Sequence, residues 1–560
     1  MALDGKSIVQ LFRSAERLRQ PYEDDWKMLA AHALPRDYRE WQSGARFSSY
    51  GNNSSVRETR QISFDATAAK ALDIFVAICE RLATPRTQRW HKLEASDAKL
   101  QASRSVAEWF EEADRKLWGS RYRSTSGFVT AQANVYQSLG LYGNGPKFIT
   151  KRQPTAHDPR PGLRYIATRM ASTYVLQDEN GEINYFFRLL KYNARQAKAA
   201  FDEDKLPKQV RAELNKGTPS EDTFFPFIHC VMPATDYDPK ALDRRRLPWV
   251  GVYVDLKEAE IVKKPDGYLT KPFGFARTFT SAEECYGVSP GLRAYPAIVT
   301  ASQIKKTMLK QGQKAVDPTL LVHDDGILSG PVDQRPGRAI FGGVNAQGKL
   351  MVQPLVTGSF QVAENLLAGE RKDIIEAFYA HLFEKLMEDP NLTATQVVNM
   401  VADRAAILSP LMGKLQTEDT GPTVERELSL LVEMGELPPL PPELVEAKGE
   451  YSIIYTSPQA KAERAEEVAG FQRTVDFAIG VASATQDPTP LKRFNFDVAL
   501  PEIARIQGVP TAWIKSDDEM AEAEGQQQQA QQAQQLTDSA PALASIATTA
   551  MKLNAGQAPR

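Results

Sequence analysis

Residues 289–317 read SPGLRAYPAIVTASQIKKTMLKQGQKAVD, and residues 359–388 read SFQVAENLLAGERKDIIEAFYAHLFEKLME. Apolar residues recur along both stretches at helical steps, which predicts two long helices; they are Ile298, Ala301, Ile304 and Leu309 in the first, and Leu366, Ile374, Phe378, Leu382 and Leu386 in the second. Three short apolar runs lie between the helices, at residues 320–322, 339–341 and 350–352, separated by Gly and Pro turns. Three such short strands are too few to fold alone, so the order predicts a two-helix stalk with a small β tip.

The second helix is followed by a helix breaker. Pro390 interrupts the chain, and Thr393 or Thr395 can cap a third helix that should end near Leu415. Further along, the apolar pattern predicts a helix before the prolines at 438–442, a strand at 451–455 and a long helix at 460–482. Eight of the ten residues at 526–535 are Gln, a composition typical of a disordered or weakly helical segment.

The first 288 residues mix helical and strand patterns and predict an α+β body. Helices are expected at about 7–34, from Asp65 to just before Pro85, at 106–118 and at 127–139, with Asp65 as a plausible N-cap, and strands at 174–176, 185–188, 224–231 and 249–254. The glycine cluster at 140–148 superficially matches a phosphate-binding loop, but Pro146 precedes Lys147 and the loop leads from a helix into a strand. We interpret it as a turn that ends a helix.

The two stalk helices differ in charge. Lys306, Lys310 and Lys314 recur every four residues on the first, whereas the second is mostly acidic and includes Glu376 and Glu384. The two charge stripes could pair with each other, within one subunit or between neighbouring subunits, and so set the register of an assembly. Alternatively, part of them could face a channel.

Composition excludes several classes of function. A formal charge of −2 and a pI of about 6.4 argue against a dedicated nucleic-acid binder. Cys79, Cys230 and Cys285 are widely separated and are expected to be buried small residues rather than zinc ligands or disulfides. The histidines show no metal-ligand spacing, and no nucleotide or nucleophile motif is present, so neither an enzyme nor a metal or cofactor site is expected. No secretion signal or membrane span is expected either, which favours a protein that is made and assembled in a cytoplasm.

Short motifs distributed along the chain resemble those of the head-to-tail connector, or portal, proteins of short-tailed bacteriophages. They occur in the family's order over roughly residues 10–515: Tyr22-x3-Trp26 with Leu34-Pro35, Asp65-Ala66-Thr67-Ala68, Trp90-x2-Leu93, Tyr286-Gly287-Val288-Ser289-Pro290, Leu392-Thr393-Ala394-Thr395-Gln396-Val397, Ser409-Pro410-Leu411 and Tyr455-x-Ser457-Pro458. Each motif is only a few residues long, and the resemblance rests on their collinearity.

The resemblance implies an α+β portal-type ring subunit with an α/β wing, a two-helix stem, a small β-containing clip and a helical crown. The implied regions are the wing at 1–288, the first stem helix at 289–317, the clip at 318–358, the second stem helix at 359–388, the channel loop at 389–395, the mainly helical wing return and crown base at 396–515, and the Gln-rich tail at 516–560. In some portals, such a tail forms a helical barrel around the axis.

The function implied by the resemblance is a twelve-fold ring at one capsid vertex, through which double-stranded DNA is packaged and later ejected. Expected partners are the terminase large subunit, tail adaptor or tail proteins, and the major capsid and scaffold proteins; DNA would pass through without being held tightly. Expected channel-loop residues are Glu388, Asp389 and Asn391, and expected docking residues of the clip are Arg335 and Arg338. The alternatives are another head–tail structural protein, such as an adaptor or tail-tube component, and a soluble enzyme.

Overall fold

A computed structural model describes residues 4–41, 62–97, 100, 103–154, 159–216, 218–235, 247–281, 283–316, 320–322, 343–345, 347–354, 360–382, 407–446, 451–455, 458–486, 489–507, 509, 513 and 520. The helices are α1 (Gly5–Ala33), α2 (Pro35–Trp41), α3 (Thr67–Ala83), α4 (Arg104–Arg121), α5 (Phe128–Tyr142), α6 (Ala194–Ala200), α7 (Lys208–Leu214), α8 (Pro290–Arg293), α9 (Tyr295–Val316), α10 (Phe360–Ala377), α11 (Gly421–Met434), α12 (Pro442–Glu446), α13 (Pro458–Thr485) and α14 (Phe496–Gln507). Residues 407–415 are also helical and continue through a π-helical turn (Gln416–Thr420) into α11.

The strands are β1 (His91–Ala95), β2 (Asn144–Arg152), β3 (Gly162–Ala167), β4 (Thr173–Gln177), β5 (Ile183–Asn193), β6 (Phe224–Pro233), β7 (Trp249–Asp255), β8 (Asp266–Tyr268), β9 (Phe273–Arg277), β10 (Leu320–Val322), β11 (Val352–Pro354) and β12 (Tyr451–Tyr455). All of their pairings are antiparallel, in the orders β4-β5-β6-β7-β8, β3-β2-β9, β10-β11 and β1-β12. The protein is therefore of mixed α+β class, as predicted.

The chain forms two compact units. The first contains residues 1–90 and 115–437, and the second contains residues 91–114 and 438–560. This differs from the sequence prediction, which kept residues 91–114 in a contiguous N-terminal body. The physical reason is that β1 pairs with β12, so a strand from early in the chain completes a sheet with one from late in the chain.

The five-stranded sheet of the first unit is covered on both faces, which explains why β6 is an almost continuous apolar run. On one face, Ile8 and Phe12 of α1 pack in a cluster with Phe187, Cys230 and Val252. The opposite face contributes Val175, Phe186 and Val231 to the main core, together with α3 and α5. The N-terminal half of α1 therefore packs on the sheet, whereas Trp26 and Leu29 in its C-terminal half pack in the main core with α3 and α5.

Aromatic residues from distant motifs meet in the main core. Tyr22 stacks on Trp26 with ring centroids 5.6 Å apart, and the edge of Trp26 meets Tyr286 at 5.4 Å. Trp26 also contacts Trp41 and Tyr142. Early and central motif residues are therefore parts of one packed cluster, in which aromatic edge-to-face contacts add to the stabilisation from burial.

In the second unit, α13 packs against α14, and Phe471, Phe494 and Phe496 form an aromatic cluster. The Trp109 indole donates a hydrogen bond to the Pro438 carbonyl at 3.1 Å. The predicted strand at 451–455 and the long helix that follows it are confirmed. The Gln-rich stretch at 526–535 lies outside the described residues.

Candidate functional site

The first stalk helix begins at a buried and well-anchored corner. The Ser289 hydroxyl accepts a hydrogen bond from the Leu292 amide at 2.7 Å and donates one to the Leu141 carbonyl at 2.8 Å, so it caps α8 and ties it to α5. Pro290 occupies the first turn, where a missing amide proton costs nothing. The helical signal of residues 289–317 thus corresponds to the short α8 followed by α9.

Two glycines make this corner possible. Gly143, with φ +77°, ends α5 in the left-handed region, and a Cβ there would lie 2.2 Å from the Gly287 carbonyl oxygen. Asn144 bridges the two backbones, since its side chain accepts from the Gly287 amide and donates to the Tyr142 carbonyl. The glycine cluster at 140–148 is therefore a helix-stop turn, as predicted, although α5 continues through Gly140 to Tyr142.

The helices α9 and α10 pack against each other and against the main core. Ile298 and Ala301 of α9 and Leu367 and Ile374 of α10 are buried in the same cluster. Arg371 on α10 donates to Asp65 Oδ2 at 2.6 and 3.0 Å, while Asp65 Oδ1 accepts from the Thr67 amide at the start of α3. Burial raises the pKa of Asp65, but these hydrogen bonds outweigh burial, so the pKa is lowered overall.

The outer parts of both helices leave apolar side chains uncovered. Leu309 and Val316 of α9 are 49% and 88% exposed, and Val362 and Leu366 of α10 are 60% and 58% exposed. In the β10–β11 region, Leu321, Val322, Val344 and Leu350 are also exposed. Grouped apolar exposure of this kind marks an interaction surface more often than single exposed residues do.

The charge stripes do not pair within one chain. Lys310 and Lys314 are exposed, Lys306 lies over the Phe64 ring at 5.3 Å, and Glu376 pairs with Lys372 of its own helix at 3.6 Å. Between α9 and α10, the described residues form no ion pair. Two predicted uses of the charge stripes stay predictions: pairing between neighbouring subunits and exposure to a channel. Glu384 lies outside the described residues.

The tip between the helices is a small β structure. Leu320–Val322 pairs with Val352–Pro354, and Val344 bridges Leu350 across a turn in which Asn345 Oδ1 accepts from the Gln347 and Lys349 amides. Two of the three predicted apolar runs are thus in β structure, with the strand of the third run displaced to 352–354. The run at 339–341 and the proposed docking residues Arg335 and Arg338 lie outside the described residues.

The second stalk helix is interrupted earlier than predicted. Helix α10 ends at Ala377, and Tyr379 adopts φ +59°, a strained conformation for a bulky side chain. Phe378 and Ala380 are fully buried, and Phe378 meets Phe75 of α3 edge-on at 6.4 Å. Packing against α3 therefore overrides the helical pattern that predicted a continuous helix to residue 388. The channel-loop candidates Glu388, Asp389 and Asn391 lie outside the described residues.

Residues 407–415 are helical, and this helix does not end near Leu415, where the sequence predicted its end. It passes through the π-helical turn into α11, and buried charges hold that turn against the β3-β2-β9 sheet. Lys147 Nζ lies 3.0 Å from Asp419 Oδ1, and Gln132 bridges them by accepting from Lys147 at 2.7 Å and donating to Asp419 at 2.8 Å. Glu418 accepts from Arg277 at 2.6 Å.

A second buried ion pair involves Glu427, eight residues after Asp419. Arg121 donates to Glu427, which also accepts from the Tyr165 hydroxyl, and the Arg121 guanidinium lies 4.4 Å from the centre of the Trp90 ring. Burial lowers the pKa of Lys147 despite Asp419, whereas burial and Glu427 both raise the pKa of Tyr165. Sequence reasoning missed these pairs because their members are far apart in the chain.

The described residues offer no obvious centre for catalysis. No group of three His, Cys, Asp or Glu among them is placed to hold a metal ion. The three cysteines are buried and unpaired, which confirms that prediction. No described helix is long and apolar enough to span a membrane.

Comparisons with known proteins connect this geometry to a family. A family model described as "Bacteriophage head to tail connecting protein" matches residues 5–514. The chain is 24% identical over 554 residues to the "Probable portal protein" of Bordetella phage BPP-1, covering 95% of this chain and 94% of that protein. It is 23% identical over 506 residues to the "Portal protein" of Salmonella phage epsilon15, covering 89% of this chain and 87% of that protein.

Solved structures of gene transfer agent particles are more distantly similar. A chain from the "Virion of native gene transfer agent (GTA) particle" is 12% identical with a TM-score of 0.31, and the match covers 75% of this chain and 99% of that one. A chain from the "Neck of native GTA particle computed with C12 symmetry" is 12% identical with a TM-score of 0.33, covering 79% and 93%.

Proposed function

We infer the function of this chain from the family to which it belongs, the bacteriophage head to tail connecting proteins, and propose that it is the subunit of a portal ring. The family match over residues 5–514 carries the proposal. Two curated relatives named as portal proteins, each aligned over most of both chains, support it. The ring would contain twelve copies, the number that the family resemblance implies, and would be a component of the virion at one capsid vertex.

Ring formation accounts for the uncovered apolar residues of α9 and α10. A second copy of the chain is the partner that a closed ring supplies to every subunit, so each stem would cover the exposed side chains of its neighbour. Burying Leu366 and Val362 in this way would contribute about 1.5–3 kcal/mol per side chain at most. The charge stripes would then lie at or beside the same interface.

The β tip is the proposed clip. Among the residues that the structure describes, β10 and β11 form a two-stranded sheet, which is too small to be stable alone. Strand addition between neighbouring subunits would satisfy the free backbone groups at its edges. The clip would dock first the terminase large subunit and later the tail adaptor, with Arg335 and Arg338 as docking residues.

The channel is proposed to work by geometry and weak repulsion. Glu388, Asp389 and Asn391 would ring the bore, and Lys306, Lys310, Lys314, Glu376 and Glu384 would line or brace it. An acidic or neutral ring suits DNA that must slide in both directions, because phosphate contacts would hold it. Changing Glu388 and Asp389 together to Lys should slow packaging in an in vitro terminase assay without dissolving the ring. Packaging at the wild-type rate would contradict the role of charge.

The two alternative functions predict different assembly and packaging behaviour. An adaptor or tail-tube component would also assemble into rings, but it would not support packaging when supplied with terminase, capsid and scaffold proteins. A soluble enzyme would remain a monomer or a small oligomer. The portal proposal alone requires both a ring and a packaging activity that depends on it.

The first experiment is negative-stain electron microscopy of the purified chain, with class averages viewed down the axis. Rings with a central hole and a stalked side view are expected, and their symmetry gives the subunit number. Small oligomers that persist when scaffold and capsid proteins are added would contradict the proposal.

A matched pair of variants tests the stem interface. Leu366→Glu should abolish or weaken ring formation because it places a charge in the covered surface, whereas Asn365→Glu, an exposed neighbour, should assemble normally. Both variants should keep the circular dichroism spectrum of the wild type. Normal rings from Leu366→Glu would exclude this face from the interface.

A further inference from the structure

One segment of the first unit is strongly basic although the whole chain is slightly acidic. Residues 115–177 contain ten Lys or Arg residues and one acidic residue, Asp158, which gives the segment a formal charge of +9. The whole chain has a charge of −2, so all the other residues together carry −11. Such segregation of charge points to a polyanionic partner more strongly than the average composition does.

Two of these cations are used inside the protein. Arg121 is paired with Glu427 and Lys147 with Asp419, and all four side chains are buried. Five further cations of this segment lie near the end of α4 and on the β2–β3 hairpin. Lys116, Arg160 and Arg164 are exposed, and Arg123 and Arg152 are half-buried. We call these five residues the basic face.

Close contacts join the members of the basic face. A Cβ at Gly162 would lie 3.6 Å from Arg123 Nη1 and 3.7 Å from Arg152 Nε, so two guanidinium groups meet beside this glycine. Arg152 donates to the Arg160 carbonyl at 2.7 Å, and Arg164 donates to the Thr125 carbonyl at 3.1 Å. The Thr125 carbonyl oxygen orients the Arg164 guanidinium without neutralising its charge.

Several of these charges have no counter-charge. Lys116, Arg123 and Arg164 form no ion pair with any residue in the described part of the chain. Like charges held together without carboxylates repel one another, which costs free energy in the isolated protein. An anionic ligand would remove that cost.

A cavity of about 370 Å³ opens on the basic face. It is lined by Arg115, Lys116, Gly119, Ser120, Arg123 and Glu436. Ser120 is only 3% exposed, and its hydroxyl has no hydrogen-bond partner. A buried hydroxyl without a partner is uncommon, and a phosphate oxygen would satisfy it. Glu436 is the single carboxylate among these lining residues, and Lys116 and Arg123 form no ion pair with any described residue.

The ordinary explanation covers only part of the basic face. Cations near the C-terminal end of a helix such as α4 interact favourably with the helix dipole. That can account for Arg123, two residues beyond the end of α4, but not for Lys116, which lies before the last turn of α4, nor for Arg152, Arg160 and Arg164, which belong to the β2–β3 hairpin. The convergence at Gly162 therefore needs another explanation.

We propose that the basic face binds the phosphate backbone of double-stranded DNA, weakly and without reading its sequence. Arginine suits this role because its planar guanidinium matches two phosphate oxygens. The choice of DNA as the polyanion rests on the proposed portal function, whereas the existence of an anion site rests on the geometry. Contacts of this kind give dissociation constants of about 10⁻⁴–10⁻⁶ M at physiological salt.

The test is the salt dependence of duplex binding. Full-length protein is titrated against a fluorescein-labelled 30-base-pair duplex by anisotropy, at several KCl concentrations between about 50 and 200 mM. Each phosphate contact contributes about −0.9 to the slope of log K against log salt, so the triple variant Lys116→Gln, Arg123→Gln, Arg164→Gln should flatten the slope by about 2.7.

The matched control removes three positive charges from the same unit. Arg195, Lys198 and Lys205 each pair with a carboxylate on the surface, so changing them to Gln gives the same net charge without touching the basic face. This control should keep the wild-type slope. The double variant Arg123→Lys, Arg164→Lys keeps the positive charge and should nearly retain the wild-type slope. If the triple variant does not fold, the single variant Lys116→Gln serves in its place and should flatten the slope by about 0.9.

Equal slopes for the triple variant and its control would overturn the proposal. Binding of an oligoglutamate peptide without binding of duplex would also overturn it and would point to an acidic protein segment instead. The two proposals fail separately: intact rings that do not bind duplex refute this inference alone, while duplex binding by a chain that never forms rings refutes the portal role alone.

Discussion

Disrupting the buried pair between Lys147 and Asp419 should show that the π-helical turn is held by charge rather than by packing alone. Lys147→Met leaves the Asp419 carboxylate, which is fully buried, with only Gln132 as a partner. Asp419→Asn leaves a buried ammonium group without its counter-charge. Removing one member of a buried ion pair typically costs about 3–5 kcal/mol.

The cost has an upper bound, because the stranded group can change its protonation state. At pH 7, protonating an Asp with an unfolded pKa of about 3.9 costs about 4.2 kcal/mol, and deprotonating a Lys with an unfolded pKa of about 10.4 costs about 4.6 kcal/mol. We therefore expect each single variant to lose about 3–4.5 kcal/mol. The double variant has no stranded charge, and Asn can still bond to Gln132, so its loss should be below about 1.5 kcal/mol.

The two single variants should respond to pH in opposite directions. In Lys147→Met, the stranded charge is a carboxylate, so its penalty should decrease at low pH, where a proton removes the charge. In Asp419→Asn, the stranded amine has a lowered pKa, so its penalty disappears as the pH rises towards about 10. The double variant, measured at each pH, is the reference for both.

Urea unfolding followed by tryptophan fluorescence, at one protein concentration, measures these differences. Lys198→Met is the control, since Lys198 is half-exposed in a surface pair, and its effect should stay within about 0.5 kcal/mol. Single losses that simply add in the double variant would refute the coupling, and equal pH responses of the two single variants would refute the assignment of the stranded charges.

Three further predictions follow from the anchoring of the stalk. Gly143→Ala should lower the free energy of unfolding by about 2 kcal/mol or more, because φ is +77° and the Cβ would meet the Gly287 carbonyl. Gly181→Ala, with φ +81° but open space around it, should lower it by only about 1 kcal/mol. Equal losses for the two variants in urea unfolding would contradict the close approach at Gly143. The Asp65–Arg371 pair should contribute about 1 kcal/mol above pH 4, since Arg371 is 41% exposed. Because the folded pKa of Asp65 is lowered, that contribution should vanish as the pH falls below about 4, and Asp65→Asn should remove this pH dependence in urea titrations. In the dilute, unassembled chain, Leu367→Ala should lower the free energy of unfolding by about 2–5 kcal/mol because Leu367 is buried, whereas Leu366→Ala should change it little because Leu366 is exposed. A larger loss for Leu366→Ala than for Leu367→Ala would contradict this assignment of the core-facing side of α10.

Local patterns predicted most elements of this fold because their causes are local. The predicted helices that correspond to α1, α3 and α9, the strands β4 and β5, and the glycine turn after α5 are confirmed by the structure. In each case the spacing of apolar residues or the freedom of a glycine decides the conformation within a few residues.

The failures have long-range causes. Nothing near Tyr379 indicates that α10 stops there, because the reason is the burial of Phe378 against Phe75. The π-helical turn is likewise fixed by Lys147 and Arg277, which belong to a different part of the sequence. The grouping of residues 91–114 with the C-terminal part depends on the pairing of β1 with β12, which one sequence does not reveal. The proposed channel and docking residues stay predictions.

The net charge argument shows how averaging can mislead. A charge of −2 correctly argues against a protein whose whole surface captures DNA, and a conduit indeed requires DNA to slide past its lining. The same total hides a segment of +9 balanced by −11 elsewhere. A portal that repels DNA weakly along its channel and attracts it weakly at a separate surface would need this segregation. Screening over about 8 Å at physiological salt lets the two surfaces act independently. Local charge, rather than its sum, is therefore the quantity that predicts where a DNA-handling protein touches its cargo.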